Sequence, residues 1–512
     1  MTPSKHSAAG RRRVPTLIIV SVAAVLLCVH FGLAVGSKLE ASTTSDELVH
    51  LTAGVSYWRN HDYRLHPENG ILPQRWAALP AWLAGARFPV LEDNEYWRVS
   101  DAWVIGHQFF YETGEDHFPR LMAGRAMIAL FSVATGALIF AWSWRLFGAA
   151  GAFVSLALFT FSPDFLAHGA LVTSDVCMAF FFLAAAGAWW RHLHDGRARW
   201  WCLSAVTVGL AFVAKYSAVL LILMMAVMAI VRAWAPEPLL LGSRSFRTPV
   251  KRLAVVTVSA LGHGVVAAVL IWACYGFRFG AFNSNLPPAD HFIFPRVAFT
   301  HHGGPLGQLV GAATAAQLLP DGFLYGFSYV IETTGARAAF LNGDYSVTGW
   351  PTFFLWTFLF KTTVPLLLIT ALLTCLAVRL VRSPGAWRRF YRVTPLVTLF
   401  VVYWIFSITS HINIGHRHIL PVYPVIFIAA GILGRWLASR RLAAVAIVAG
   451  LLGWHAAEAA RVAPYFLGYF NPIAGGPENG WRHLVDSSLD WGQDLPGLRK
   501  WLDKHAGSEP VY

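Results

Sequence analysis

Apolar runs of membrane-spanning length, separated by short arginine-rich connections, leave this chain few folds to choose from. About eleven such runs occur, over approximately 14–36, 121–146, 149–164, 175–193, 200–214, 216–233, 253–275, 351–381, 393–410, 419–437 and 441–457. A helix of about twenty apolar residues crosses about 30 Å of hydrocarbon. Gaps near 147, 165–174 and 215 make neighbouring runs hard to divide. Composition agrees: 56% of residues are hydrophobic and only 13% charged, where a soluble domain carries about 25% charged residues. The fold class read from this is an all-α polytopic membrane protein.

The connections set the orientation. Arg11-Arg12-Arg13 precedes the first run, and no small-residue cleavage site follows it, so the run reads as an uncleaved helix with its N-terminus inside. The inner connections are then "RHLHDGRARWW", 232–252, 382–392 and 435–441, all rich in arginine. That is the positive-inside pattern, and it also accounts for the net charge of +13 without any nucleic-acid partner. The outer segments are long: a first external loop over 37–120, in which acids outnumber bases, a second over 276–350, and a tail from 458. The expected organisation is a cytoplasmic tail over 1–13, a transmembrane domain over 14–457, and an extracytoplasmic C-terminal segment over 458–512. The last reads as cut short at the strand-like "SEPVY". In the first loop, Leu72, Trp76, Leu79 and Leu83 fall on one helical face of "LPQRWAALPAWLAGARF", predicting an amphipathic helix in the membrane interface. The loop over 276–350 is long enough to serve as a lid or binding loop. Five scattered cysteines read as small core residues.

Ionisable groups gather at the predicted outer ends of these helices. They are Asp46, Glu47 and His50 in "SDELVHLTAG"; His66, Glu68 and Arg75; His168, Thr173 and Asp175; Lys215; Arg278; Lys361; and His411, His416, Arg417 and His418 in "HINIGHRH". Each has a bland reading. Lys215 can snorkel, Asp175 can cap a helix, and interfacial histidines can be polar anchors or zinc ligands. Their convergence on one leaflet points to chemistry. A carboxylate that takes a proton from an acceptor, beside cations that neutralise a leaving phosphate, suits group transfer from an anionic lipid. No nucleotide-binding loop of the GxxxxGK[ST] or GxGxxG kind competes.

The stretch "SDELVHLTAGVSYW…DYRLHPENGILPQRWAALP" resembles the first external loop of polyprenyl-phosphate-dependent GT-C glycosyltransferases. These include the dolichyl-phosphate-mannose-protein mannosyltransferases and the transferases that add aminoarabinose to lipid A. The similarity continues through "FSPDFLAHGALVTSD", "GLAFVAKYSAVLL", "FLNGDYSVTGWPTFFLWTFLFKT", "NIGHRHILPVYP" and "NPIAGGPENGWRHLVDSSLDWGQDLPGL". The resemblance implies a GT-C fold, with interfacial helices in the first external loop. It also implies an inverting transfer of a hexosyl or pentosyl unit from a polyprenyl-phosphate sugar to a protein, lipid or envelope glycan. Asp46 would be the base, Glu47 its support or an acceptor contact, and Asp175 a second acidic position shaping the site. Lys215, Arg417 and Arg278 would hold the donor phosphate. His66, Glu68 and His416 would be acceptor or metal positions, although for His66 and Glu68 this chain departs from its relatives, with His66-Pro67-Glu68-Asn69-Gly70 where they often read His-Pro-Pro-Leu. A divalent cation is the one cofactor left open. The implied setting is a multi-pass protein of a bacterial inner membrane, with its site on the extracytoplasmic face and membrane lipids around it. A transporter or lipid flippase, or a non-catalytic assembly protein of the same fold, are the competing readings. A transporter is expected to place its coupling charges near the midplane rather than at one face.

Overall fold

The computed structural model describes residues 15–241, 244–283, 290–294, 304–439 and 441–506. The expected N-terminal tail, Arg440 and the "SEPVY" end lie outside the described residues, as does part of the 276–350 loop. Among the described residues, eight helices are long and apolar enough to cross a membrane, and Ala198–Ala214 is a shorter apolar helix. Asp175–His192 is also a helix, of 18 residues. The predicted runs are thus helical, but their divisions differ. The runs at 121–146 and 149–164 form one element, Phe118–Thr160, kinked where Gly148 takes φ 76°, a backbone conformation open chiefly to glycine. The run at 351–381 is instead broken. Helix Phe353–Lys361 stops, Thr362 and Thr363 are extended, and Val364–Val381 starts afresh. The last span runs to Val462 rather than 457.

Among the described residues, two short antiparallel strand pairs accompany the helices: Leu239–Leu241 with Arg244–Phe246, and Ala339–Leu341 with Asp344–Ser346. Described residues beyond 458 touch the transmembrane helices. Asn471 donates to the carbonyls of Leu359 and Thr362, filling the gap left by the broken helix. The main core joins Phe118–Thr160, Asp175–His192 and His416–Ala438, and a second cluster under the external loops includes Val49, Tyr57, Leu65, Tyr216 and Tyr325.

Three of the arginine-rich connections, those around 191–201, 232–252 and 382–392, meet at one end of the bundle. Arg232 donates to the Leu193 carbonyl (3.0 Å), Arg252 to that of Ala233 (3.0 Å), and His194 pairs with the Tyr391 hydroxyl (2.7 Å). Asp175–His192 leads from the other end to this one, and Ala198–Ala214 leads back to Lys215. At 1.5 Å per residue each helix separates its ends by about 25 Å.

The first loop forms helices at Ser45–Arg59 and Ile71–Leu83. The second is the predicted amphipathic helix, but a different face is buried. Gln74, Ala77, Ala78 and Ala81 are covered, whereas Leu83 is exposed and Leu72, Trp76 and Leu79 are only half-buried. Small residues win the contact because the helices approach very closely. A Cβ on Gly54 would collide with the Gln74 carbonyl and with Ala78, and small residues permit such close helix packing while larger apolar ones face outward. Gly54→Ala is therefore expected to cost about 1–3 kcal/mol through overpacking, seen as a lowered midpoint in thermal unfolding of the detergent-purified protein. An unchanged midpoint would mean that the two helices can move apart without cost.

Candidate active site

The Ser45–Arg59 helix opens with a capping box. Thr44 Oγ1 accepts from the Glu47 amide (3.3 Å), and Glu47 Oε2 accepts from the Thr44 amide (2.9 Å). This geometry points Glu47 inward. It is fully buried, receives Arg125 through Nε (2.9 Å) and Nη2 (2.7 Å), and accepts the Val172 amide at 3.0 Å. Four donors thus occupy its carboxylate, and the structure places it behind the helix start.

Asp46, one residue earlier, turns the other way. Its Oδ2 accepts from Arg417 Nη1 at 2.7 Å, and the same nitrogen lies 3.4 Å from Asp175 Oδ2. Asp175 Oδ1 in turn holds Lys215 Nζ in a close ion pair. Four residues from distant segments therefore form an alternating array: Asp46, Arg417, Asp175, Lys215. Local backbone explains each placement. Asp175 is the first residue of its helix, Lys215 is a single extended residue (φ −163°, ψ 143°) between two helical segments, and Arg417 sits in the 3-10 turn His416–Val422. The ends of the array are accessible and the middle is not. Side-chain exposure is 20% for Asp46 and 21% for Lys215, against 2% for Asp175 and 9% for Arg417. Burial works against the Asp46 charge, yet the Arg417 guanidinium, together with the nearby His50 and His66, holds the carboxyl below its ordinary pKa.

Beside Asp46, the buried His50 and His66 rings approach to 4.7 Å between centroids. Burial, helped by the nearby His66, pushes His50 down to about 3, so it stays neutral. Burial also opposes charge on His66, but Glu68 at 3.0 Å more than offsets this and raises its pKa. His66 Nε2 and Asn69 Nδ2 lie 2.8 Å apart, and Ser174 donates to Asn69 at 3.4 Å, linking this segment to the turn before Asp175. The exposed Arg337, passed over in the sequence, lies near enough to oppose the His66 charge.

Two expected residues sit elsewhere. Arg278 donates to the carbonyls of Gly280 (2.9 Å) and Ala281 (3.0 Å) and lies over the Tyr63 ring, outside the array. His416 points away from it, with Nε2 2.7 Å from the Tyr423 hydroxyl and 3.4 Å from Asp164. Among the described residues, no group of three or more His, Cys, Asp or Glu side chains is arranged to hold a metal ion.

A cavity of about 770 Å³ lies among the helices around Lys215 in the chain. Phe212 and Tyr216, on either side of Lys215 in the chain, line it together with Ile222, Met225, Leu309 and Phe327. Its walls are almost wholly apolar. Tyr216 also donates to the carbonyls of Pro67 (2.9 Å) and Phe323 (3.1 Å), tying the cavity wall to the His66–Asn69 segment.

No curated protein matches the chain. Among solved structures, it is similar to ArnT from Cupriavidus metallidurans bound to undecaprenyl phosphate, at 16% identity and a TM-score of 0.48, covering 88% of this chain and 70% of that one. It is also similar to the Archaeoglobus fulgidus oligosaccharyltransferase in the apo form, at 13% identity and a TM-score of 0.46, covering 97% of this chain and 59% of that one. The chain therefore spans less than two thirds of the oligosaccharyltransferase. Residues 117–272 match the family model described as dolichyl-phosphate-mannose-protein mannosyltransferase, a stretch that contains Asp175 and Lys215. The match is confined to that stretch, less than a third of the chain, and is a similarity of this part to the mannosyltransferase family.

Proposed function

We propose that this protein transfers a sugar from a polyprenyl-phosphate donor to an acceptor on the extracytoplasmic side, by direct inverting displacement. The observation that carries the reading is the Asp46–Arg417–Asp175–Lys215 array, with Phe212 and Tyr216, on either side of Lys215 in the chain, lining an apolar cavity. The cavity takes the polyprenyl chain, and Lys215 and Arg417 receive the phosphate through charge-assisted hydrogen bonds. The acceptor hydroxyl or amine attacks the anomeric carbon from the face opposite the phosphate. As the new bond forms, the bond from that carbon to the phosphate oxygen breaks, and polyprenyl phosphate leaves with the electron pair. Asp46 accepts the acceptor proton. Asp175, between the two cations, keeps both in place, and preorganised cations stabilise charge where it develops.

The extracytoplasmic assignment is supported by the position of the array, across the bundle from three of the arginine-rich connections. That same placement at one end speaks against a transport pathway, whose coupling charges belong near the midplane. Glu47 supports the base by fixing the helix start, and Arg278 is left to shape the external loop.

The test is consumption of labelled polyprenyl-phosphate sugars by the purified protein in lipid, with candidate acceptors added. Acceptor-dependent release of polyprenyl phosphate is expected. Lys215→Ala is expected to raise KM for the donor by about tenfold or more, the scale of one lost hydrogen bond to a charged group, while acceptor KM stays within about twofold. Equal effects on both substrates would remove Lys215 as a phosphate clamp.

A further inference from the structure

The segment Asp486–Asp494, in "DSSLDWGQDLPGL", has no role in the mechanism above, yet it touches both halves of the site. Its backbone runs beside the residues that precede Asp46. The Ser45 amide donates to the Trp491 carbonyl (2.9 Å), the Ser42 amide to that of Gln493 (3.0 Å), and Ser42 Oγ to that of Gly492 (2.7 Å). Gln493 Oε1 accepts the Trp491 amide at 2.7 Å and fixes the turn.

The same segment braces the turn that carries Arg417. Ser488 Oγ accepts the His416 amide (2.9 Å), and Ser487 Oγ donates to the Ile414 carbonyl (3.2 Å). A Cβ on Gly415 would overlap Ser487 Oγ, so the glycine is what lets the two strands of chain meet. Lys361, buried at the end of its helix, donates to the carbonyls of Ser488 (2.6 Å) and Leu467 (2.7 Å) and anchors the segment from below.

Between these two sets of contacts lies Trp491, itself buried, with the Arg417 guanidinium 4.0 Å from its ring centroid. One face of the guanidinium is therefore covered by indole. Its Nη1 edge is occupied by Asp46 and Asp175. Its Nε is buried and has no hydrogen-bond partner among the described residues. A buried donor without an acceptor is costly, and this one belongs to a cation assigned to the donor phosphate.

We propose that Trp491 is a positioning residue of the active site: its ring fixes the plane of the Arg417 guanidinium, keeping Nη1 on Asp46 and Asp175 and leaving Nε to an oxygen of the donor phosphate. This rests on the polyprenyl-phosphate reading of the array. The C-terminal segment then belongs to the catalytic centre, since it sets the geometry of the residue shared by base and phosphate. A flat cation over an aromatic face gains the most when desolvated, as it is at this buried pair.

Trp491 also belongs to a buried apolar cluster that includes Ala34, Leu166 and Phe466, so truncation to alanine would confound cavity formation with loss of the stack. The discriminating pair is Trp491→Leu, which keeps apolar bulk without a ring, and Trp491→Phe, which keeps an aromatic face. The full chain is reconstituted in lipid, and binding of undecaprenyl phosphate is measured alongside sugar-transfer kinetics. Trp491→Leu is expected to bind undecaprenyl phosphate about tenfold more weakly and to lose kcat, with acceptor KM unchanged. Trp491→Phe is expected to recover most of both, although the two variants unfold at similar temperatures. Wild-type binding with equal Leu and Phe variants overturns this inference alone. Wild-type protein that binds no undecaprenyl phosphate overturns the donor reading, and this inference with it.

Discussion

Asp46→Asn is expected to lower sugar transfer by at least about a hundredfold while leaving donor binding near its wild-type level. Asparagine matches aspartate in shape and can still accept from Arg417, whose Nη1 lies 2.7 Å from Oδ2. What it cannot do is take a proton, and general-base assistance is worth roughly two to four orders of magnitude. The pH profile separates Asp46 from its neighbours. Arg417, together with the nearby His50 and His66, holds the Asp46 carboxyl below its ordinary value against the effect of burial, so the base stays ionised on acidification. The acid limb of kcat/KM is then expected below about pH 4, and it should vanish in Asp46→Asn. His66 has its pKa raised by Glu68, so a limb above about pH 6.5 that survives in Asp46→Asn would transfer the role of base to that imidazole. Unchanged turnover in the variant would remove Asp46 from the chemistry.

Much of this site was legible in the sequence, for a physical reason: charges at the ends of apolar runs are rare and need partners. Asp46, Asp175, Lys215 and Arg417 were all visible that way, and the structure joins them through contacts of 2.7 and 3.4 Å and the close Lys215–Asp175 pair. Glu47 is more instructive. Thr44-Ser45-Asp46-Glu47 is a capping-box pattern, a local signal that Glu47 turns back toward Thr44 instead of joining Asp46. Arg125, charged inside an apolar run, was the unread sign of a buried partner. Other features carried no local signal. The stacking of Trp491 on Arg417 joins residues far apart in the chain, and no periodicity encodes such a pair. The Ile71–Leu83 helix misled in a different way. Its large apolar residues suggested the packed face, but close approach to Gly54 selects the alanine face and turns the large side chains outward. The break at Thr362–Thr363 was hidden because both flanks are equally apolar.

Arg125→Ala is expected to cost roughly 3–5 kcal/mol of stability, the scale for breaking a buried ion pair from one side. Arg125 does more than neutralise Glu47. It also donates to the carbonyls of Lys38 (3.1 Å), Ala41 (3.1 Å) and Ser42 (2.6 Å), so one guanidinium organises the whole approach to the Ser45–Arg59 helix. Removing it strands a fully buried carboxylate and three carbonyls together. The pH dependence gives the sign. In the wild type, burial raises the Glu47 pKa, but Arg125 and the amides of Thr44 and Val172 pull it below its usual 4.5. A depressed folded pKa contributes stability that is present above the unfolded value and lost as pH falls through the folded one. Without Arg125, burial dominates and the folded pKa moves above the unfolded value. The variant's deficit should then be largest at neutral pH and shrink on acidification, because a neutral Glu47 tolerates burial. Thermal unfolding of both proteins between about pH 5 and 8 in lipid measures this. A deficit that is constant across that range would mean that the lost carbonyl contacts, not the ion pair, set the cost. A companion variant, Glu47→Gln, is expected to lose stability while each folded molecule keeps transfer activity within about tenfold, well short of the loss at a general base. A hundredfold loss per folded molecule would instead return Glu47 to the chemistry.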